Sequence, residues 1–197
     1  KLMASMRILR MEIPMSFTME FIEEQVSKTI HENNLENSAS LVNILIFRDS
    51  GGKVLPESNK VAFCIVVRKL ISSEYIFRGT TYEVELFKDF YVSGGMLSTL
   101  GINNKMLNVV GSIFARENDY NDCLLLNHKK MVVGALAGNL FLIVNDIVKT
   151  APLTDGCANT VIRDKTIKLV IDSNDFKFEE NSISPFELQK ANELFIV

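Results

Sequence analysis

The chain has no tryptophan, two histidines (His31 and His128), three cysteines and four prolines in 197 residues. Each scarcity excludes something. Cys64, Cys123 and Cys157 are odd in number and widely spaced, so they read as reduced thiols rather than a disulfide frame, and no CxxC pair offers a zinc corner. With only two histidines, a metal site built wholly from protein ligands is not expected. Apolar runs stay under ten residues, too short to cross a bilayer. A net charge of −3 and a pI near 5.5 give no electrostatic footprint for nucleic acid or an anionic membrane. No GxGxxG, GxxxxGK or GxSxG pattern occurs, so the common phosphate loops and the nucleophile elbow are absent. What remains is the reading of a cytoplasmic globular protein.

The positive content is ordinary for such a protein: 47% apolar and 23% charged residues, enough chain to bury about 70% of its unfolded surface. Leu2, Met6 and Leu9 step by three or four and predict a helix ending before Pro14. The basic, Met-rich opening KLMASMRILRM lacks the apolar core of a targeting segment and reads as part of that helix. Ser16 or Thr18 can cap a second helix with Phe21, Ile22, Val26 and Ile30 on its inner face, stopping at Asn33-Asn34. LVNILIF (41–47) and VAFCIVV (61–67) predict strands around an Asp-Ser-Gly-Gly turn, and Tyr82, Val84 and Leu86 alternate as a third. The first 90 residues thus read as two helices and a sheet of at least three strands. Ser93-Gly94-Gly95 reads as a linker into a second, strand-rich domain, 93–197.

In that second half, Met106, Leu107, Val110, Ile113 and Phe114 form a helix face. Strands are expected at 123–126, 131–133, 140–144 and 147–149, with a hairpin turn at Asn145-Asp146. A helix follows from about 159 to 171. Ser184-Pro185-Phe186-Glu187 has the cap, first-turn proline and third-position glutamate of a helix start. The carboxylate pairs Glu23-Glu24 and Glu179-Glu180 are adjacent in sequence and diverge, so they read as solvated faces rather than acid–base dyads.

Four landmarks occur in order: an Asn-led helix from Asn104, Asn139-Leu140-Phe141, Thr150 to Leu153 (TAPL), and a helix entry ending at Arg163. SPFELQKANELF, from Ser184 to Phe195, supports them. In these the chain resembles the class IV pyridoxal-phosphate enzymes, the branched-chain aminotransferase and aminodeoxychorismate lyase family. The resemblance implies a two-domain α/β (α+β) protein of pyridoxal-phosphate fold type IV, with domains at 1–90 and 93–197. It implies a homodimer, pyridoxal 5'-phosphate as cofactor, and an amino-acid or aminodeoxychorismate-like substrate. It also implies that the chain is trimmed at both ends, with an arginine-bearing hairpin before residue 1 and further strands after Val197.

The resemblance also assigns site positions. The family's Schiff-base lysine stands three or four residues before the first Asn, and three before Asn104 is Gly101, four before is Leu100. The glutamate that holds the pyridine nitrogen stands five before the NLF asparagine; here that residue is Gly134. Lys105 is the nearest amine, a weak stand-in whose other reading is a solvent-facing helix lysine. The family's phosphate cradle falls on Thr160, Val161, Ile162 and Arg163, with Thr160 in place of a glycine and Ile162 in place of a hydroxyl residue. Their plain alternative is an ordinary helix start with Arg163 facing solvent or a carboxylate. An amine is needed to hold such a cofactor and move a substrate proton, and glycine does neither. Two outcomes stay open: a lyase or transaminase by descent, or a non-catalytic relative, fragment or altered chain that keeps the fold and the dimer contact.

Overall fold

The computed structural model describes residues 1–74 and 81–197, and the chain divides into two compact units, Lys1–Gly79 and Thr80–Val197.

In the first unit, α1 (Leu2–Ile8) precedes α2 (Met19–Glu32), whose start is set by Thr18: its hydroxyl accepts the Phe21 amide at 3.2 Å. Asn33 and Asn34 end α2 as expected, Asn34 taking the left-handed conformation that asparagine tolerates. Strands β1 (Ser40–Arg48) and β2 (Val61–Lys69) pair antiparallel, Ile44 opposite Ile65. Phe17, Phe21 and Phe63 meet as a ring cluster where α2 covers β2.

Among the described residues this sheet has two strands, not three. The expected third, β3 (Val84–Val92), lies in the second unit and pairs parallel with β4 (Asp122–Asn127), Leu86 opposite Leu124. That pairing moves the boundary from the expected 90–93 to 79/80. Ser93 to Gly95 is therefore internal to the second unit, where Gly95 precedes a 3-10 turn, Met96–Thr99.

The second unit holds two β-α-β crossovers, the connection that parallel neighbours require. In one, α3 (Met106–Glu117) links β3 to β4 and packs on both. In the other, α4 (Val161–Ser173) links β7 (Ile147–Thr150) to its parallel neighbour β8 (Lys177–Glu180). Strand β5 (Val132–Ala135) completes a β3-β4-β5 sheet. The order β8-β7-β6-β9 makes a second, with β6 (Leu140–Val144) and β9 (Glu193–Ile196) antiparallel and Phe141 stacked on Phe195. The short helix α5 (Pro185–Leu188) starts at Ser184 with the expected reciprocal cap. Phe87, Cys123, Leu124, Leu126, Val132, Leu140, Leu142 and Ile183 form the core between these sheets, joined by the Val132 amide donating to the Ile183 carbonyl.

Candidate functional site

Two loops from different crossovers meet at the expected site. The loop 93–99 carries the approach to Gly101; the loop 151–160 carries the approach to α4. A Cβ added at Gly156 would lie 3.0 Å from the Ser93 carbonyl oxygen, and the Asn159 amide donates to the Thr99 carbonyl at 2.8 Å. A second 3-10 turn, Leu153–Asp155, sits within that loop, which begins with the Thr-x-Pro-Leu segment.

Gly101 lies between the first 3-10 turn and α3, exposed, with nothing within 4 Å of where a Cβ would stand. Lys105 is the residue immediately before α3, also exposed, and its side chain does not cap the helix. Gly134 lies in β5 opposite Leu125, buried, with φ at +157°.

Thr160 caps α4. Its hydroxyl accepts the Arg163 amide at 3.0 Å and donates to Asn139 Oδ1 at 2.7 Å. Thus the residue that stands in place of the family's glycine is engaged in starting the helix. Val161 and Ile162 follow with exposed apolar side chains, and the amides of this first turn have no acceptor within the helix.

Arg163 does not face solvent. It is 3% exposed, its Nη2 donates to the Ala151 carbonyl at 2.9 Å and pairs with Glu180 at 3.3 Å, so of the two expected alternatives the carboxylate is the one met. Its Nε and the Asp155 Oδ2 atom are buried without a hydrogen-bond partner. Beside them the Cys157 thiol donates to the same Ala151 carbonyl at 3.2 Å. Burial pushes that thiol up to about 11, with the Arg163 cation opposing the shift.

Sequence reasoning recognised Asn139 as a landmark but not its work. It is 1% exposed, exchanges backbone hydrogen bonds with Val197, donates from Nδ2 to the Ala158 carbonyl at 2.8 Å and accepts from Thr160. It thereby ties the end of the β5–β6 turn to the entrance of α4. Asp155, Cys157 and Glu180 were missed. The only signal for them was the motif around Leu153, since their partners stand up to 28 residues away.

Two surface grooves lie away from these residues. One runs along the outer face of α3, past Asn108, Val109, Ile113 and Arg116. The other, at the start of β4, is lined by Tyr82, Tyr120, Asp122 and Ala137. There burial and the Asp122 carboxylate raise the Tyr82 phenol, whose hydroxyl donates to that carboxylate at 3.5 Å. Among the described residues there is no helix long and apolar enough to cross a membrane, and no cluster of three or more metal-ligating side chains.

Comparison with known proteins places this geometry. The family model described as amino-transferase class IV matches residues 1–197. A Methanocaldococcus jannaschii protein provisionally named branched-chain-amino-acid aminotransferase is 25% identical over 201 residues, covering all of this chain and 66% of its own length. The crystal structure of a protein provisionally named 4-amino-4-deoxychorismate lyase, from Legionella pneumophila, superposes with a TM-score of 0.86 at 18% identity, covering 100% of this chain and 70% of its own. A Thermobaculum terrenum branched-chain amino acid aminotransferase, solved in its PLP form, gives 0.83 at 19% identity, covering 100% and 63%. The chain therefore spans about two thirds of the length of these relatives, and the structural likenesses are likenesses of fold.

Proposed function

Because the chain belongs to the class IV aminotransferase family, we propose that it keeps the family's fold and homodimeric assembly without its Schiff-base chemistry, as a non-catalytic, cytoplasmic member. The observation that carries this reading is Gly101. If it stands at the family's lysine position, the residue there has no amine, and nothing lies within 4 Å of where its Cβ would stand.

Pyridoxal phosphate, the cofactor implied by the family, is a poor fit to the remaining positions as well. Gly134 offers no carboxylate to a pyridine nitrogen. Thr160 spends its hydroxyl on capping α4 and on Asn139. Arg163 is turned inward to Ala151 and Glu180, away from the helix entrance it was expected to serve.

The relatives' names favour a catalytic alternative: amino-group transfer from a branched-chain amino acid, or elimination from an aminodeoxychorismate-like substrate. That reading needs an amine from elsewhere, and Lys105 is the nearest in sequence.

One experiment separates the two. The purified protein is mixed with pyridoxal phosphate, reduced with borohydride, digested and analysed by mass spectrometry. The expected result is no stoichiometric adduct at any single lysine of the parent chain. A stoichiometric adduct at Lys105 in the parent would overturn the proposal in favour of an enzyme with a displaced lysine.

A further inference from the structure

Gly101 and Gly134 both lack a functional group, but the backbone around them differs. At Gly101 φ is negative and a side chain would enter open space. At Gly134 φ is +157°, and a Cβ would lie 3.1 Å from the Gly138 carbonyl oxygen. The strand register shows why. Leu125 pairs with Gly134, but the next residue, Leu126, pairs with Val132, so Val133 is an extra residue in β5. A one-residue bulge bends its strand, and glycine supplies the backbone angle that follows it.

The neighbour cannot simply step aside. The Gly138 carbonyl accepts the Ala135 amide at 2.8 Å and so closes the β5–β6 turn. Gly138 is itself pressed against β9, since a Cβ on it would fall 2.1 Å from the Val197 carbonyl oxygen. Next to it, Asn139 and Val197 exchange hydrogen bonds of 2.7 and 3.0 Å. Moving the Gly138 carbonyl disturbs the turn and the β6–β9 pairing together.

We infer that position 134 resists every side chain, because the bulge sets a backbone angle that L residues rarely adopt and the Gly138 carbonyl would have to give by a few tenths of an ångström, whereas position 101 is merely empty. Resting on the reading of these two positions given above, this makes the loss asymmetric: an amine can return by one substitution without strain, but a carboxylate at 134 also needs the Gly138 carbonyl of the β5–β6 turn to move. The non-catalytic state is thus held by backbone geometry as well as by side-chain loss.

The test compares thermal unfolding of the parent with Gly101→Ala, Gly101→Lys, Gly134→Ala and Gly134→Glu. Gly134→Ala adds only the Cβ, so it isolates closure from the effect of charge. The 101 variants are expected to melt within about 2 °C of the parent, as surface substitutions do. Gly134→Ala is expected to melt on the order of 5 °C lower, the scale of backbone strain in a chain of this size, and Gly134→Glu lower still. Failure to fold confined to the 134 variants would support the inference. Gly134→Ala melting at or above the parent, or Gly101→Ala failing as badly as Gly134→Ala, would overturn it. The borohydride result on the parent is independent of this ordering, so the functional reading and the closure of position 134 can fail separately.

Discussion

At the scale of single residues, Cys157 shows how burial converts to pH dependence. Its thiol is held at about 11 in the fold, against an ordinary 9.0. Below pH 9 the thiol is neutral in both folded and unfolded chain, and the full stability is present. Between 9 and 11 the unfolded chain sheds the proton while the fold retains it, so stability declines as pH rises through that window. The shift corresponds to on the order of 2–3 kcal/mol. Denaturant titrations of the parent and Cys157→Ala from pH 8 to 11, under reducing conditions, should show the steeper alkaline loss in the parent. Parallel curves would mean that burial does not hold the thiol. None of this was legible in the sequence, where Cys157 was one of three scattered thiols. The TAPL and Arg163 landmarks did mark the neighbourhood, but not that Arg163 turns inward to meet Glu180. That direction depends on β8 lying parallel to β7, a pairing no local pattern announces.

Among elements, α5 is the one whose start was plainest and whose length was least so. The three signals within Ser184 to Glu187 are all realised, yet the helix runs only from Pro185 to Leu188. Lys149 contributes to holding it: its ammonium pairs with Glu187 Oε2 at 2.6 Å while Oε1 accepts the Ser184 amide at 3.1 Å. Burial pushes the Glu187 carboxyl up, but the Lys149 hydrogen bond and the Ser184 amide outweigh it and leave the group below its usual value. Ser184→Ala is expected to cost about 1 kcal/mol of unfolding free energy. Glu187→Ala should cost more, because it removes the reciprocal cap and the ion pair in one step; equal losses in equilibrium unfolding would show that Lys149 adds nothing. Elements with local signals were read well, from the Thr18 cap of α2 to the Asn145 turn. Strand β8, KFEE, had no alternation to find and is made a strand by β7. Strand β3 was found, but period-two alternation does not name a partner. Its partner lies beyond α3, which is how the boundary came to be misplaced.

Across the whole molecule, the mixed α/β architecture of the type IV kind was legible because the landmark segments keep their order and spacing over the chain. The two units differ in how well they are packed. The contiguous core lies entirely in Thr80–Val197, whereas among described residues the first unit buries only Met6 and Phe17 of its apolar side chains. Stability is expected to follow burial. In native-state hydrogen exchange, amides of β4, β5 and β6 should be the slowest, and those of β1 and β2 should exchange through smaller openings. Equal protection in both units would mean that they unfold as one cooperative body.

Asn139 has a mechanical consequence. Its backbone belongs to the β6–β9 pair, and its side chain to the approach and cap of α4, so one rigid residue couples three segments distant in the chain. Loss of the Asn139–Val197 pairing beside β9 cannot stay local, because it withdraws both backbone partners from the residue that holds Ala158 and Thr160 in register. A disturbance at the sheet's edge is thereby transmitted to a helix entrance that begins more than thirty residues earlier in the chain. The candidate site is tensioned from a strand that contributes no side chain to it.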